Sequence, residues 1–150
     1  MSKVNKTKFL PPYGVLTSMS VMYLLDKFFP VLSWQNTRII AYLLLAGSFL
    51  CVLYCAYIFY KNKTHIEPFK VSSFLILSWP YTVTRNPIYL CMCIFLTGWA
   101  MFLMSISAFV AIPVFAFWIH YKFVLQEEVM LEEKFSQDYL TYKNRVRRWI

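Results

Sequence analysis

The hydrophobic positions of the chain fall into long apolar runs separated by short polar segments. The first run covers about 9–29 and opens with Pro11-Pro12, and the second covers about 38–60. A helix of about 20 apolar residues is long enough to cross a bilayer core. The pattern therefore predicts two membrane-spanning helices in the first 60 residues.

The longest apolar run carries no charged side chain from Asn86 to Tyr121. A straight helix of that length would extend roughly 54 Å, far beyond the ~30 Å core of a bilayer. The run must therefore fold back, and Ser105-Ile106-Ser107 is the predicted turn. This gives a tight hairpin of spans at about 87–104 and 107–124, in which Pro113 is expected to kink the second helix.

The remaining segment, 126–150, is rich in charge, and apolar residues recur in it at helical spacing. This pattern is typical of amphipathic helix at a membrane surface. The whole chain, 1–150, is interpreted as one all-α integral membrane domain of about four spans. Its carboxy-terminal segment is predicted to be cytoplasmic.

Composition supports a membrane protein. The chain is 59% hydrophobic and 15% charged, whereas charged residues make up about a quarter of ordinary soluble domains. The net charge of +8 comes from basic residues that flank the apolar runs, which favours contact with anionic lipid over nucleic acid. The amino-terminal tail, the 61–85 loop and the carboxy terminus are the basic segments, so both termini are predicted to be cytoplasmic.

The four cysteines, Cys51, Cys55, Cys91 and Cys93, all lie inside apolar runs. They are interpreted as small buried hydrophobes, and neither a disulfide nor a metal site is expected. Gly47 and Ser48 are predicted to let the second span pack closely on a neighbour.

Polar and aromatic residues concentrate in the segment Ser78–Tyr89, called here the hinge. Asn86 is a good N-cap and Pro87 suits the first helical position, so a helix is predicted to start at Pro87. Its positive end would face the polar hinge and favour an anion. The alternative is a capped helix with an interfacial aromatic anchor and no ligand.

The predicted hairpin brings Tyr89 near Gln126, Glu127 and Glu128 at the end of the fourth span. Two adjacent acids close to hydrocarbon need partners, either Arg85, the basic residues of the tail, or a ligand. A ligand with a carboxylate, a cation, hydroxyls and a flat base would satisfy the groups of this cleft. S-adenosylmethionine has these four parts.

The sequence also resembles the membrane methyltransferases that include isoprenylcysteine carboxyl methyltransferase and the phospholipid N-methyltransferases. The resemblance covers about 64–150. It rests on the ordered set Leu75-Ile76, Tyr81, Arg85-Asn86-Pro87-Ile88-Tyr89, Glu127-Glu128-Val129-Met130-Leu131, Phe135, Tyr139-Leu140-Thr141-Tyr142 and Arg145-Val146-Arg147-Arg148-Trp149.

This resemblance implies transfer of a methyl group from S-adenosylmethionine, without a metal, to a lipophilic acceptor that enters sideways from the bilayer. By position, the implied cofactor-binding residues are Leu75, Ile76, Tyr81, Asn86, Pro87, Tyr89 and Glu127. Glu128 and Arg85 are the candidate catalytic residues, and Glu128, His120 or a tail carboxylate is a candidate base if the acceptor loses a proton.

Three positions depart from the family pattern. Trp79 and Ser136 stand where glycine is usual, and Phe123 stands where the isoprenylcysteine enzymes have an arginine for the substrate carboxylate. Lys122 is the adjacent cation. The departure at Phe123 argues against prenylcysteine as the acceptor and leaves methyl transfer intact.

Three other functions compete with methyl transfer. Membrane sterol reductases share an Arg-x-Pro-x-Tyr element, but they use NADPH and need more basic residues near the pocket. A small four-span transporter would need a midplane carboxylate, for which Asp26 lies too near a helix end. The third is a family member that binds lipid without catalysis. The oligomeric state is not predicted.

Overall fold

The computed structural model describes residues 10–29, 38–64 and 73–150. The basic amino-terminal tail, the first loop and Lys70, on which part of the predicted topology rests, lie outside the described residues. The helices are α1 (Pro11–Phe28), α2 (Arg38–Lys61), α3 (Pro87–Leu103), α4 (Ala111–Ile119) and α5 (Leu125–Arg145), with a 3₁₀ turn at Ser107–Val110 and a π-turn at His120–Val124.

Small residues set the contact between α2 and α3. Ala41, Ser48 and Cys55 recur every seven residues on α2 and are buried. On α3, a Cβ at Gly98 would lie 3.1 Å from the backbone nitrogen of Leu45. Close approach of backbones through small residues is typical of helix packing in membranes. The prediction holds for Ser48 and is wrong for Gly47, which is exposed and has open space around it.

The hydrophobic core lies among α1, α3, α4 and the π-turn. Met22, Leu96, Phe115, Ile119 and Phe123 are buried there. Helix α1 approaches α4 so closely that a Cβ added at Gly14 would lie 2.4 Å from the Trp118 ring. The core thus ties the first helix to the hairpin, while α2 packs on α3.

The hairpin turns where the sequence predicts it. Helix α3 ends at Leu103, Met104 adopts the left-handed conformation (φ 53°), and the hydroxyls of Ser105 and Ser107 lie 2.9 Å apart. Pro113 stands in the first turn of α4, where a missing N–H is tolerated. The irregular backbone lies before and after it, in the 3₁₀ turn and the π-turn.

The fourth span and the carboxy-terminal segment form one continuous helical run, Ser107–Arg145, and not two separate units. The π-turn accommodates an extra residue inside the run without ending it. The run bends only at Ser136, whose backbone is not helical (φ 43°, ψ −114°). Because the helical run is continuous through 126–128, these polar residues directly extend the apolar part of the same helix.

The secondary-structure elements of the described residues are all helical, with no strand among them, which confirms the all-α prediction. Two helices, Arg38–Lys61 and Ser107–Arg145, are long and apolar enough to cross a membrane, and Pro87–Leu103 is a shorter apolar helix. Large apolar side chains on α2, among them Ile39, Leu43 and Tyr60, are exposed, as a lipid-facing helix requires. Four spans and their orientation stay predictions.

The positive φ of Ser136 can be tested by substitution. Its positive φ is disfavoured for any residue except glycine, so Ser136→Gly should raise the free energy of unfolding by about 1 kcal/mol. Thermal unfolding in detergent measures the change. The neighbouring Gln137→Gly is the matched control and should lower stability by about 1 kcal/mol, because Gln137 is helical. Equal losses in both variants would contradict the kink.

Candidate functional site

The hinge is built from tight turns that lead into α3. The amide of Tyr81 donates to the carbonyl of Ser78 (2.8 Å), and the amide of Val83 donates to that of Pro80 (3.1 Å). The Trp79–Pro80 peptide is cis. These turns direct the chain sharply from the 73–77 segment to the start of α3.

Asn86 occupies the predicted N-cap position before Pro87, but the predicted side-chain cap is absent. Its carbonyl accepts the amide of Leu90 (3.0 Å), which is the first helical bond. Its side-chain Nδ2 donates instead to the carbonyl of Arg148 (3.0 Å). The predicted cap bond is therefore wrong, because a backbone carbonyl of the carboxy-terminal segment takes the amide.

The backbone of Arg147 and Arg148, called here the carboxy-terminal clasp, is bonded to the hinge. The amide of Arg85 donates to the carbonyl of Arg147 (3.0 Å), and the Thr84 hydroxyl donates to that of Arg148 (3.1 Å). With the Asn86 bond, three consecutive hinge residues hold the clasp. Sequence reasoning missed this contact, because charge patterning gives no signal for bonds to backbone carbonyls.

A further bond ties the hinge to α5. The buried Tyr142 hydroxyl donates to the carbonyl of Tyr81 (2.7 Å). Tyr142 belongs to the Tyr-x-x-Tyr element, which the resemblance included without assigning it a role. The structure gives that tyrosine a role in positioning the hinge.

Glu128 lies buried between two guanidinium groups. Arg148 donates to both carboxylate oxygens, from Nε to Oε1 and from Nη2 to Oε2, each at 2.8 Å. Nη2 of Arg85 lies 3.4 Å from Oε1, and 8% of the Arg85 side chain and 7% of the Glu128 side chain are exposed. The bonded carboxylate raises the pKa of the Arg148 guanidinium. Of the partners that the sequence left open, the structure selects both arginines.

Glu127 joins α5 to the start of α3. The Tyr89 hydroxyl donates to Oε1 of Glu127 at 2.5 Å, a short bond of the kind that carboxylate acceptors form. This is the contact that the hairpin predicts. Tyr89 is itself buried, and its ring lies 6.4 Å from that of Phe123 in the π-turn. The hinge and the glutamate pair are therefore joined directly by the hydrogen bond from Tyr89 to Glu127.

Several buried polar atoms near these residues have no hydrogen-bond partner within the part of the chain that the structure describes. They are Nε and Nη1 of Arg85, Oε1 of Gln126 and Nδ1 of His120. Unpaired buried polar atoms are costly, so we expect water or a ligand to satisfy them. Arg85 thus offers donors suited to a carboxylate, and Gln126 offers an acceptor suited to a hydroxyl or amine.

The remaining predicted cofactor residues lie in and before the hinge. Ile76 is buried, Leu75 is half-buried, and both side chains are apolar. The Tyr81 ring packs edge-on against Phe59 of α2 (6.1 Å), and burial raises the pKa of its phenol well above the usual value. The phenol therefore stays protonated and remains a donor.

Trp79 replaces the glycine that the resemblance leads one to expect. Its indole packs against the ring of Tyr54 on α2 (5.2 Å) and is 56% exposed. Most of the indole therefore faces away from the protein interior. The described residues contain no group of three or more His, Cys, Asp or Glu side chains that could hold a metal ion.

The pairing of the Arg148 side chain with Glu128 can be tested separately from any activity. Arg148→Met should lower the free energy of unfolding by about 1–3 kcal/mol, because it leaves the buried Glu128 carboxylate with Arg85 as its one described charged partner. Arg147→Met is the control and should change stability by less than about 0.5 kcal/mol, because the exposed Arg147 engages the hinge through its backbone. Thermal unfolding in detergent measures both, and equal effects would contradict the role of the Arg148–Glu128 pair.

Comparison with known proteins identifies the family of the chain. The profile of the phospholipid methyltransferase family matches residues 36–138, which contain the hinge, the hairpin and the glutamate pair. A protein of Haemophilus influenzae described as uncharacterized is 34% identical over 62 residues, which make up 41% of this chain and 98% of that protein. No solved structure matches the chain. The family match spans more than half of the sequence, and the chain therefore belongs to the phospholipid methyltransferase family of membrane methyltransferases.

Proposed function

We propose that this protein transfers a methyl group from S-adenosylmethionine to a lipophilic acceptor within the membrane. The observation that carries the proposal is the 2.5 Å hydrogen bond from Tyr89 to Glu127. Glu127 is followed in sequence by Glu128, which forms a buried ion pair with Arg85. The Tyr89–Glu127 bond brings the hinge and the glutamate pair, two segments far apart in sequence, to one place. Family membership supports the reaction class.

The side chains of this site suit the parts of S-adenosylmethionine. The unpaired Nε and Nη1 of Arg85 are separate charged donors, and either can donate to a carboxylate oxygen of the cofactor. Glu127 offers a carboxylate for hydroxyls or for a nearby cation, and Tyr81 and Tyr89 offer aromatic faces. Leu75 and Ile76 suit a flat apolar base.

Asn86 and Pro87 complete the proposed cofactor set through the backbone at the start of α3. The amino-terminal end of a helix carries partial positive charge and favours an anionic group. The Asn86 side chain is bonded to the clasp, so its contribution to the site is to fix the position of this helix start. When bound, S-adenosylmethionine supplies an electrophilic methyl group on a sulfonium.

The work of the chain is to align the reactants and to exclude water, which can contribute roughly 7–11 kcal/mol to the rate. Arg85 holds the cofactor end of the site. Glu128 fixes Arg85 and Arg148 and is therefore a positioning residue. Transfer to a carboxylate releases no proton. Transfer to an amine releases a proton. We propose that Nδ1 of His120, which has no hydrogen-bond partner among the described residues, accepts this proton.

The bilayer is part of the proposed system, because the acceptor must reach the site from hydrocarbon. The exposed apolar side chains of α2 and the length of the Ser107–Arg145 run support a multi-pass protein in contact with lipid. The basic flanking segments suit anionic lipid at the cytoplasmic face. No nucleic-acid partner is proposed.

The proposal predicts methyl transfer that depends on Glu127 and Tyr89. Membranes containing the protein, supplied with methyl-labelled S-adenosylmethionine, should accumulate label in a lipid extract. Glu127→Gln and Tyr89→Phe should each reduce the rate about 10- to 100-fold, because a hydrogen bond to a charged group contributes about 1.5–3 kcal/mol. Identification of the labelled product names the acceptor.

Matched controls separate this effect from general damage. Glu133→Gln on α5 and Tyr57→Phe on α2 change exposed residues of the same types and should leave the rate unchanged. A lipid extract without label from the unaltered protein, or equal rates in Glu127→Gln and Glu133→Gln, would contradict the proposal.

A further inference from the structure

A groove runs between α1 and the end of α4, and neither Glu127 nor Glu128 belongs to its lining. It has a volume of about 330 Å³ and is lined by Gly14, Thr17, Ser18, Val114, Phe115, Trp118 and Lys122. This volume lies at the lower end of the range of small-molecule sites. It suits one hydrocarbon chain with a small head and is small for a complete two-chain lipid.

The shape of the groove depends on a glycine. Because Gly14 has no side chain, the Trp118 ring can lie against α1, where a Cβ would be only 2.4 Å away. The Thr17 hydroxyl is occupied by the carbonyls of Tyr13 (2.6 Å) and Gly14 (3.1 Å), so this polar residue presents its methyl group or a satisfied hydroxyl to the groove. The walls are therefore largely apolar.

Among the described residues that line the groove, the one charged side chain is that of Lys122, in the π-turn, and none is acidic. Lys122 is exposed and stands at the polar end of the predicted fourth span. An apolar groove that ends at a cation complements an amphiphile with an anionic head. An ammonium or a sulfonium would be repelled there.

Aromatic contacts connect the groove to the proposed methyl-transfer site. The Trp118 ring, which forms one wall, lies 5.3 Å from the ring of Phe123. Phe123 is fully buried and lies 6.4 Å from Tyr89, which is bonded to Glu127. A chain of three aromatic rings therefore links the groove to the site.

We propose that the groove between α1 and α4 binds the hydrocarbon chain of an acidic amphiphile, with its phosphate or carboxylate at Lys122. This binding site stands on the geometry of the groove. The additional statement that the bound amphiphile is the methyl acceptor rests on the proposed function. It places the acceptor head at Lys122, in the π-turn that also contains Phe123, whose ring lies 6.4 Å from that of Tyr89.

Binding can be measured without cofactor. The purified full chain in neutral detergent is incubated with oleate, a single-chain phosphatidic acid, or a single-chain phosphatidylcholine of equal length, and retained lipid is counted by native mass spectrometry. The two acidic amphiphiles should be retained at least about tenfold more strongly than the phosphatidylcholine, since one charge-assisted contact contributes on the order of 1.4 kcal/mol. Preference between oleate and phosphatidic acid identifies carboxylate or phosphate as the head.

Two pairs of variants locate the binding. Val114→Trp fills the groove and should abolish retention, whereas Val110→Trp, at an equally exposed position outside the lining, should not. Lys122→Gln should remove the preference for acidic lipid and Lys122→Arg should keep it. Lys27→Gln, at the far end of α1, is the charge control and should have no effect. Thermal unfolding confirms that each variant is folded.

Each outcome decides one statement. Equal retention in Val114→Trp and Val110→Trp, or no preference for acidic lipid in the unaltered chain, overturns the groove assignment. Selective binding in a protein that transfers no methyl group supports the groove and overturns the proposed function. Normal methyl transfer by folded Val114→Trp overturns the use of the groove by the acceptor.

Discussion

The buried carboxylate of Glu128 is the constraint on which the arrangement of the site depends. It stands just past an apolar helix end, where an unpaired charge would cost several kcal/mol. Two guanidinium groups remove that cost, one from the hinge and one from the end of the chain. Because Arg85 precedes α3 directly and Arg148 follows α5, this single side chain fixes three segments relative to one another.

The clasp and the ion pair reinforce each other. The side chain of Arg148 donates to Glu128, and its carbonyl accepts hydrogen bonds from the side chains of Thr84 and Asn86. This one residue therefore connects α5 to the hinge. The helix start that was predicted to be capped by Asn86 is thus held by the carboxy terminus. Tyr89, one turn into that helix, is brought into line with Glu127.

Spacing and charge alone predicted the helices, the turn at 105–107 and the meeting of Tyr89 with the glutamate pair, because each follows from helix length and the cost of placing charge in hydrocarbon. The role of Asn86 and the clasp were not predictable, since bonds to backbone carbonyls leave no residue pattern. The uninterrupted run through the π-turn was missed as well, because the change from apolar to charged residues near Gln126 is also typical of a helix end. The positive φ of Ser136 gives a physical reason for the glycine expected there.

If the hinge and the glutamate pair together hold S-adenosylmethionine, the bound cofactor must lie against both segments. Photo-crosslinking of labelled S-adenosylmethionine to the protein in lipid, followed by peptide mapping, shows which segments it contacts. We expect label on peptides from 75–89 and 126–128. The label should be lost in Glu127→Gln, and also when unlabelled S-adenosylhomocysteine is present in excess. Label confined to α1 or α2, or label that Glu127→Gln leaves unchanged, would contradict this binding site.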